Sequence, residues 1–177
     1  NHAAPYALTA YRTAYLKCHY PSQYLSALLS SVLDNQTKMS EYIADAARAG
    51  IRILQPDVNQ SGRKFTASGK TIRFGLPALK NVGENVVDKI LALRRERAFS
   101  SFDDFVRRMT GPELNKRALE AMIRAGAFDS LEHNRAKLLA VYENMAEGAA
   151  REARENIAGQ VGFFDDAHQQ QELYPDI

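Results

Sequence analysis

The chain has 177 residues, 45% of them hydrophobic and 25% charged, with a formal net charge of +2. This excludes a disordered or fibrous chain, leaves room for one domain or two small ones with a real core, and only weakly favours an anionic partner. A lone cysteine, Cys18, excludes an internal disulfide framework or a thiolate cluster within one chain and is expected as a small, half-buried hydrophobe.

The N-terminus has neither the basic nor the apolar region of a signal peptide, and no apolar run approaches a membrane span, so no membrane partner is expected. The chain starts without Met inside a helix-like segment, which predicts a fragment of a larger cytoplasmic protein. From Tyr6 to Tyr20, residues Tyr11, Ala14, Tyr15 and Cys18 recur at a helical period, which predicts a helix with these tyrosines in its core. Pro21 fits the first turn of a second helix with Tyr24, Leu25, Leu28, Leu29 and Val32 on its inner face. A third helix is predicted from near Thr37, with Met39, Tyr42, Ile43 and Ala46 inside, ending at Gly50. Three β-type runs follow: Ile51 to Leu54, Lys64 to Ala67 and Thr71 to Phe74, the last two joined by a turn at Ser68-Gly69. They predict a small β-ribbon between two helical parts.

Gly75 to Ile90 reads as two short helices joined by a tight hairpin, with Leu76 and Leu79 on one apolar face and Val87, Ile90 and Leu91 on the other. Gly83 suits a left-handed turn that aims backbone N–H groups outward beside the next helix's N-terminus, a place to hold a phosphate oxygen. The spacing resembles the helix-hairpin-helix motif, in which Gly flanks the central apolar residue on both sides. Here the first of those positions is Asn81, a residue that tolerates positive φ. The other reading is an ordinary packing unit with Gly83 at a helix junction. In the binding reading, Val82, Gly83 and Glu84 donate their N–H groups to duplex DNA while Lys80 and Lys89 add charge; a solvated helix face is the alternative for both lysines.

The second hairpin helix is expected to run to about Arg97. Ser101 to Asp104 has the form of a capping box opening a helix with Phe105 and Val106. A helix after Pro112 is expected to bury Leu114, Leu119, Met122 and Ile123 and to end at Gly126, and another carries Leu138, Leu139, Tyr142 and Met145. Residues 148–159 either prolong that helix or form a solvated linker, and the polar, acidic tail beyond is expected to be poorly ordered. A second basic group comprises Arg94, Arg95, Arg97, Arg107, Arg108, Lys116, Arg117 and Arg124; for most of it the favoured reading is pairing with Glu96, Asp103, Asp104 and Glu120 on exposed helix faces. His19, His133 and His168 are too scattered to suggest a metal site.

Longer matches extend over almost the whole chain: His2-Ala3-Ala4, Tyr6 to Leu8, Tyr11 to Lys17, His19-Tyr20-Pro21, Asp34-Asn35, Pro56 to Asn59, Ile72 to Leu76, Asn115-Lys116-Arg117 and Ala125 to Leu131. In these runs and in their order the chain resembles the alpha subunits of bacterial DNA polymerase III, the C-family replicative DNA polymerases. Pro5 and Asn81 depart from the family pattern. The resemblance implies a mainly α fold: residues 1–50 as the helical end of a fingers domain, 51–74 as a β-linker, 75–147 as a helix-hairpin-helix DNA-binding domain with tandem hairpin-like units, and 148–177 as linker and tail. It implies that Lys116 and Arg117 open the second, degenerate hairpin unit. It also implies that Gln160, Phe163 and Phe164 form a clamp-binding peptide, two aromatic anchors and a hydrogen-bonding Gln; packing back on this domain's own core is the alternative. His2 would lie near the incoming nucleotide's triphosphate, where it could neutralise the leaving pyrophosphate.

The partners implied are duplex DNA, the sliding clamp and other replicase subunits. The whole protein would be a DNA-directed DNA polymerase using Mg²⁺ held by upstream Asp residues. This chain has no Asp-x-Asp pair, so it is expected to bind no cofactor and to be inactive alone. A reading from another class is a DNA-repair or recombination scaffold with tandem hairpin units, and a third is a helical domain for protein–protein contact.

Overall fold

The computed structural model describes residues 3–111 and 114–157, with side chains as far as residue 151. The chain divides into two compact units, one of Asn1–Pro56 with Ser61–Ala78 and one of Asp57–Gln60 with Leu79–Ile177. The fold is mainly α with one small sheet, as expected.

In the first unit, α1 (Ala3–His19) is the predicted helix, but none of its residues is buried. Tyr6 is 74% exposed and Tyr11 67%, and Tyr15 and Cys18 are exposed too, so the core positions expected for the tyrosines and the half-burial expected for Cys18 are corrected. A helical period fixes which residues share a face; it does not supply a neighbour to cover it. Helix α2 (Pro21–Ser31) does bury its inner face, through Leu25 and Leu29. Helix α3 (Gln36–Arg48) opens on Asn35, whose side chain accepts from the Lys38 N–H, and buries Met39 and Ala46.

Strands β1 (Arg52–Leu54), β2 (Thr66–Ser68) and β3 (Thr71–Arg73) form a sheet in the order β1-β3-β2. The predicted hairpin is β2–β3, turning through Gly69-Lys70, with Ala67 opposite Ile72. The third strand adds a parallel pair, Ile53 opposite Ile72, which needs a crossover and leaves no local sign in the sequence. Ile72 joins Leu25, Leu29, Met39, Ile51 and Phe65 in one core, so the sheet packs on α2 and α3. The Ser30 hydroxyl ties α2 to the strand region by accepting from the Phe65 N–H at 3.0 Å. The predicted first hairpin helix is reduced to a single 3-10 turn, Leu76–Ala78.

The second unit holds α4 (Glu84–Glu96), α5 (Phe102–Met109), α6 (Lys116–Arg124) and α7 (Arg135–Ile157). Ser101 caps α5 by accepting from the Asp104 N–H, the predicted capping interaction. Phe102, Phe105 and Phe128 stack edge to face, with ring centroids 4.8–4.9 Å apart, around a core shared with Ile90, Met109 and Leu119. Each such ring contributes about 1.5–3 kcal/mol by leaving water. Leu114, expected in the core, is half-buried. Of the two readings for residues 148–159, α7 takes the helical one as far as Ile157.

The tetrapeptide Asp57–Gln60 is stitched into this unit by backbone bonds. The Val58 N–H donates to the Ala127 carbonyl at 2.9 Å, and the Val58 carbonyl accepts from Arg94 at 3.0 Å. The Asn59 amide pairs with both backbone groups of Phe99, donating to its carbonyl and accepting from its N–H, each at 2.9 Å. Among the described residues, no helix is long and apolar enough to cross a membrane.

Candidate nucleic-acid interface

The hairpin turn runs from Leu79 into α4. Val82 is its plug: the side chain is buried, and its N–H closes the turn by donating to the Leu79 carbonyl at 3.2 Å. Val82 is therefore corrected as an outward-facing donor. The left-handed residue is also not the expected one. Asn81 takes φ of 66°, while Gly83 is extended at φ −75° and ψ 164°. Asn can adopt this conformation at modest cost because its short polar side chain bonds locally. Gly83 instead serves as the N-cap of α4. It has no side chain to bond the opening amides, and a Cβ there would meet nothing within 4 Å. The first turn of any helix has amides without intrahelical partners, and the macrodipole adds partial positive charge beside them. The α4 opening thus pairs an uncapped amide set with an exposed Lys80.

The other predicted cations divide. Lys89 donates to the Thr110 carbonyl at 2.9 Å, from a half-buried position. That bond ties α4 to the end of α5, which corrects the reading of Lys89 as part of a freely solvated face. Lys116 lies 2.6 Å from Glu147 and 3.7 Å from Glu143 on α7, and the Glu147 hydrogen bond raises its pKa. Two carboxylates compete there with any phosphate. Arg97 and Arg108 share Asp104, Arg107 pairs with Asp103 and Arg124 with Glu120, as the pairing reading expected. Arg94 is half-buried; desolvation lowers its pKa, and the nearby Asp57 partly offsets this. Arg108 also bonds the Leu93 and Arg97 carbonyls and lies 4.7 Å over the Phe99 ring. Among the described residues, exposed Lys80, Arg95 and Arg117 have no such partner.

Helix α6 opens on Asn115, whose side chain accepts from the Ala118 N–H, and closes at Gly126 with φ of 80°. Arg135 packs over Gly126, bonding both Asp129 oxygens at 2.8 and 2.5 Å and the Arg124 carbonyl at 3.2 Å. His2, Gln160, Phe163 and Phe164 lie outside the described residues.

A glycine-capped helix after an apolar-plugged turn is the geometry that the helix-hairpin-helix motif describes, and its sequence profile matches residues 50–138. The chain belongs to the helix-hairpin-helix family. The family match begins at the sheet and takes in Asp57–Gln60 as well as the hairpin. The chain is also similar to proteins named DNA polymerase III subunit alpha. The one from Saccharopolyspora erythraea is 47% identical over 93% of this chain, which covers 14% of that protein. The Thermus aquaticus protein is 46% identical over 93% of this chain, 13% of its own length, and that of Mycobacterium tuberculosis 41% over 93%, 14% of its own. The chain spans about one seventh of the length of these relatives.

Proposed function

We propose that this chain is the part of a replicative DNA polymerase that holds duplex DNA by its backbone, without reading its sequence. The observation that carries this is the Gly83 cap: the α4 opening offers uncapped amides beside exposed Lys80. Lys116 and Arg117 are assigned a secondary contact, Arg117 the freer of the two. One hairpin neutralises few phosphates, so log K should fall against log salt with a slope between about −1 and −3.

The test is fluorescence anisotropy with two unrelated duplexes at low salt. Wild type should bind both alike. Gly83→Asp should weaken binding several-fold, because an Asp N-cap takes up the amides and brings a like charge to the phosphate. Lys80→Glu should weaken it by a similar factor. Unchanged binding by both variants overturns the reading.

In the whole protein this grip would support template-directed DNA synthesis in the cytoplasm. The metal of that reaction, Mg²⁺, is assigned to residues outside this chain. Gln160, Phe163 and Phe164 are assigned to the sliding clamp, and His2 to the nucleotide's triphosphate side. Phe163→Ala/Phe164→Ala should remove clamp affinity and leave duplex affinity as it is.

A further inference from the structure

Helices α6 and α7 leave a groove of about 220 Å³ between them. Leu114, Leu119, Ala146 and Ala150 form its apolar lining, and Lys116 with Glu147 stands at its edge. An apolar cavity of about 150 Å³ accepts benzene, so the groove has room for a phenyl ring. We infer that Phe163-Phe164 of this same chain docks there, making the groove an internal seat for the tail.

Three observations single out this occupant. The first is reach. Ala150 stands seven residues before Ile157 on α7, about 10 Å along the axis. Six further residues from Ile157 to Phe163 span up to ~20 Å, enough to double back past Ala150. Gly159 and Gly162 lie in that stretch, where a reversal needs glycine. The second is charge. Asp165-Asp166 follows the two rings directly, while Lys116 and Arg117 begin α6 beside the groove, at its positive end. A tail entering rings first brings its carboxylates to Arg117, since Lys116 is already held by Glu147 and Glu143. The third is cost. Two adjacent aromatic rings in a polar tail lose about 1.5–3 kcal/mol each by remaining in water, and the groove is only a few residues away in sequence.

The docking stands without the clamp; only its consequence rests on the clamp-peptide reading above. If both hold, the groove and the clamp compete for the same two rings, and the tail is sequestered until a clamp is present.

The test uses the whole chain. Methyl NMR of wild type and Phe163→Ala/Phe164→Ala should show shifts at Leu114, Leu119, Ala146 and Ala150 and none at Leu29 or Ile72. Unmoved groove methyls overturn the proposal. The shifts should also be independent of protein concentration; dependence would mean that a second copy supplies the tail, and overturns it too. Ala150→Glu places a charge in the groove, and chymotryptic cleavage after Phe163 and Phe164 should then accelerate several-fold with the helical circular dichroism unchanged. Equal cleavage rates would count against docking whatever the clamp does. Clamp affinity is read separately: Ala150→Glu should raise it. Shifted methyls with no clamp binding would leave the docking intact and remove the clamp reading alone.

Discussion

Gly126 is held to its identity twice. Its φ of 80° is a conformation that costs an L side chain about 1–2 kcal/mol. A Cβ there would also fall 2.1 Å from an Arg135 nitrogen. The guanidinium cannot swing aside without releasing Asp129 and the Arg124 carbonyl. Gly126→Ala should therefore lower stability by about 2 kcal/mol in urea unfolding. Arg135→Ala in the same chain should leave the backbone share of that loss in place. Asp104 makes the opposite kind of demand, one of charge. Burial by itself raises its pKa, but the Ser100 N–H and the Arg97 and Arg108 guanidinium groups outweigh this, and the net value lies below the usual carboxylate range. A depressed carboxylate stabilises the fold above its unfolded pKa of about 3.9, and that contribution disappears as pH falls through the lower, folded value. The stability gap between wild type and Asp104→Asn should thus be flat from pH 8 to about pH 5 and should close in stronger acid. A gap that narrowed near neutral pH would contradict the assignment.

Among the helices, α1 stands apart because it has no buried residue. A helix of this length is marginal in water when packing does not support it. Its amides should be the fastest to exchange of those in the described helices, well before α2, whose Leu29 is wholly buried. Hydrogen exchange read by mass spectrometry separates the two. Elements were largely legible in the sequence, since helical spacing, the Ser101 cap and the Gly126 stop are all local signals. What covers an element was not. The stripe of α1 and the inner face of α2 have the same period, yet only α2 is buried. The parallel pairing of β1 with β3 was hidden for the same reason, as was the Lys116–Glu147 pair, whose members are 31 residues apart. At the hairpin, the residue types were readable, but which of Asn81 and Gly83 takes positive φ depends on the plug's internal hydrogen bond. The turn and the helix start were therefore located by sequence, while the inward N–H of Val82 and the Lys89–Thr110 bond were not.

At the scale of the molecule, each unit has its own core, but the second draws four residues from within the first unit's stretch of sequence. Asn59→Ala removes two hydrogen bonds to Phe99 and leaves both backbone groups short of a partner, at a cost of about 1–3 kcal/mol. A shortened chain beginning at Leu79 loses those bonds together with the Val58–Ala127 bond. It should melt at a lower temperature than a chain of the same end point that begins at Gly50, and the difference should exceed the effect of Asn59→Ala alone. Equal melting temperatures would show the tetrapeptide to be dispensable.

Because Asp57–Gln60 is set apart from the rest of its unit, the hairpin module is not a cassette that one pair of junctions around Leu79 and Ile157 can transplant. A gene fusion at Leu79 would carry the turn and the Gly83 cap but strand their brace in the donor. Recombination that inherits the hairpin together with its brace has to cut upstream of Asp57 and so brings strands β2 and β3 along as passengers.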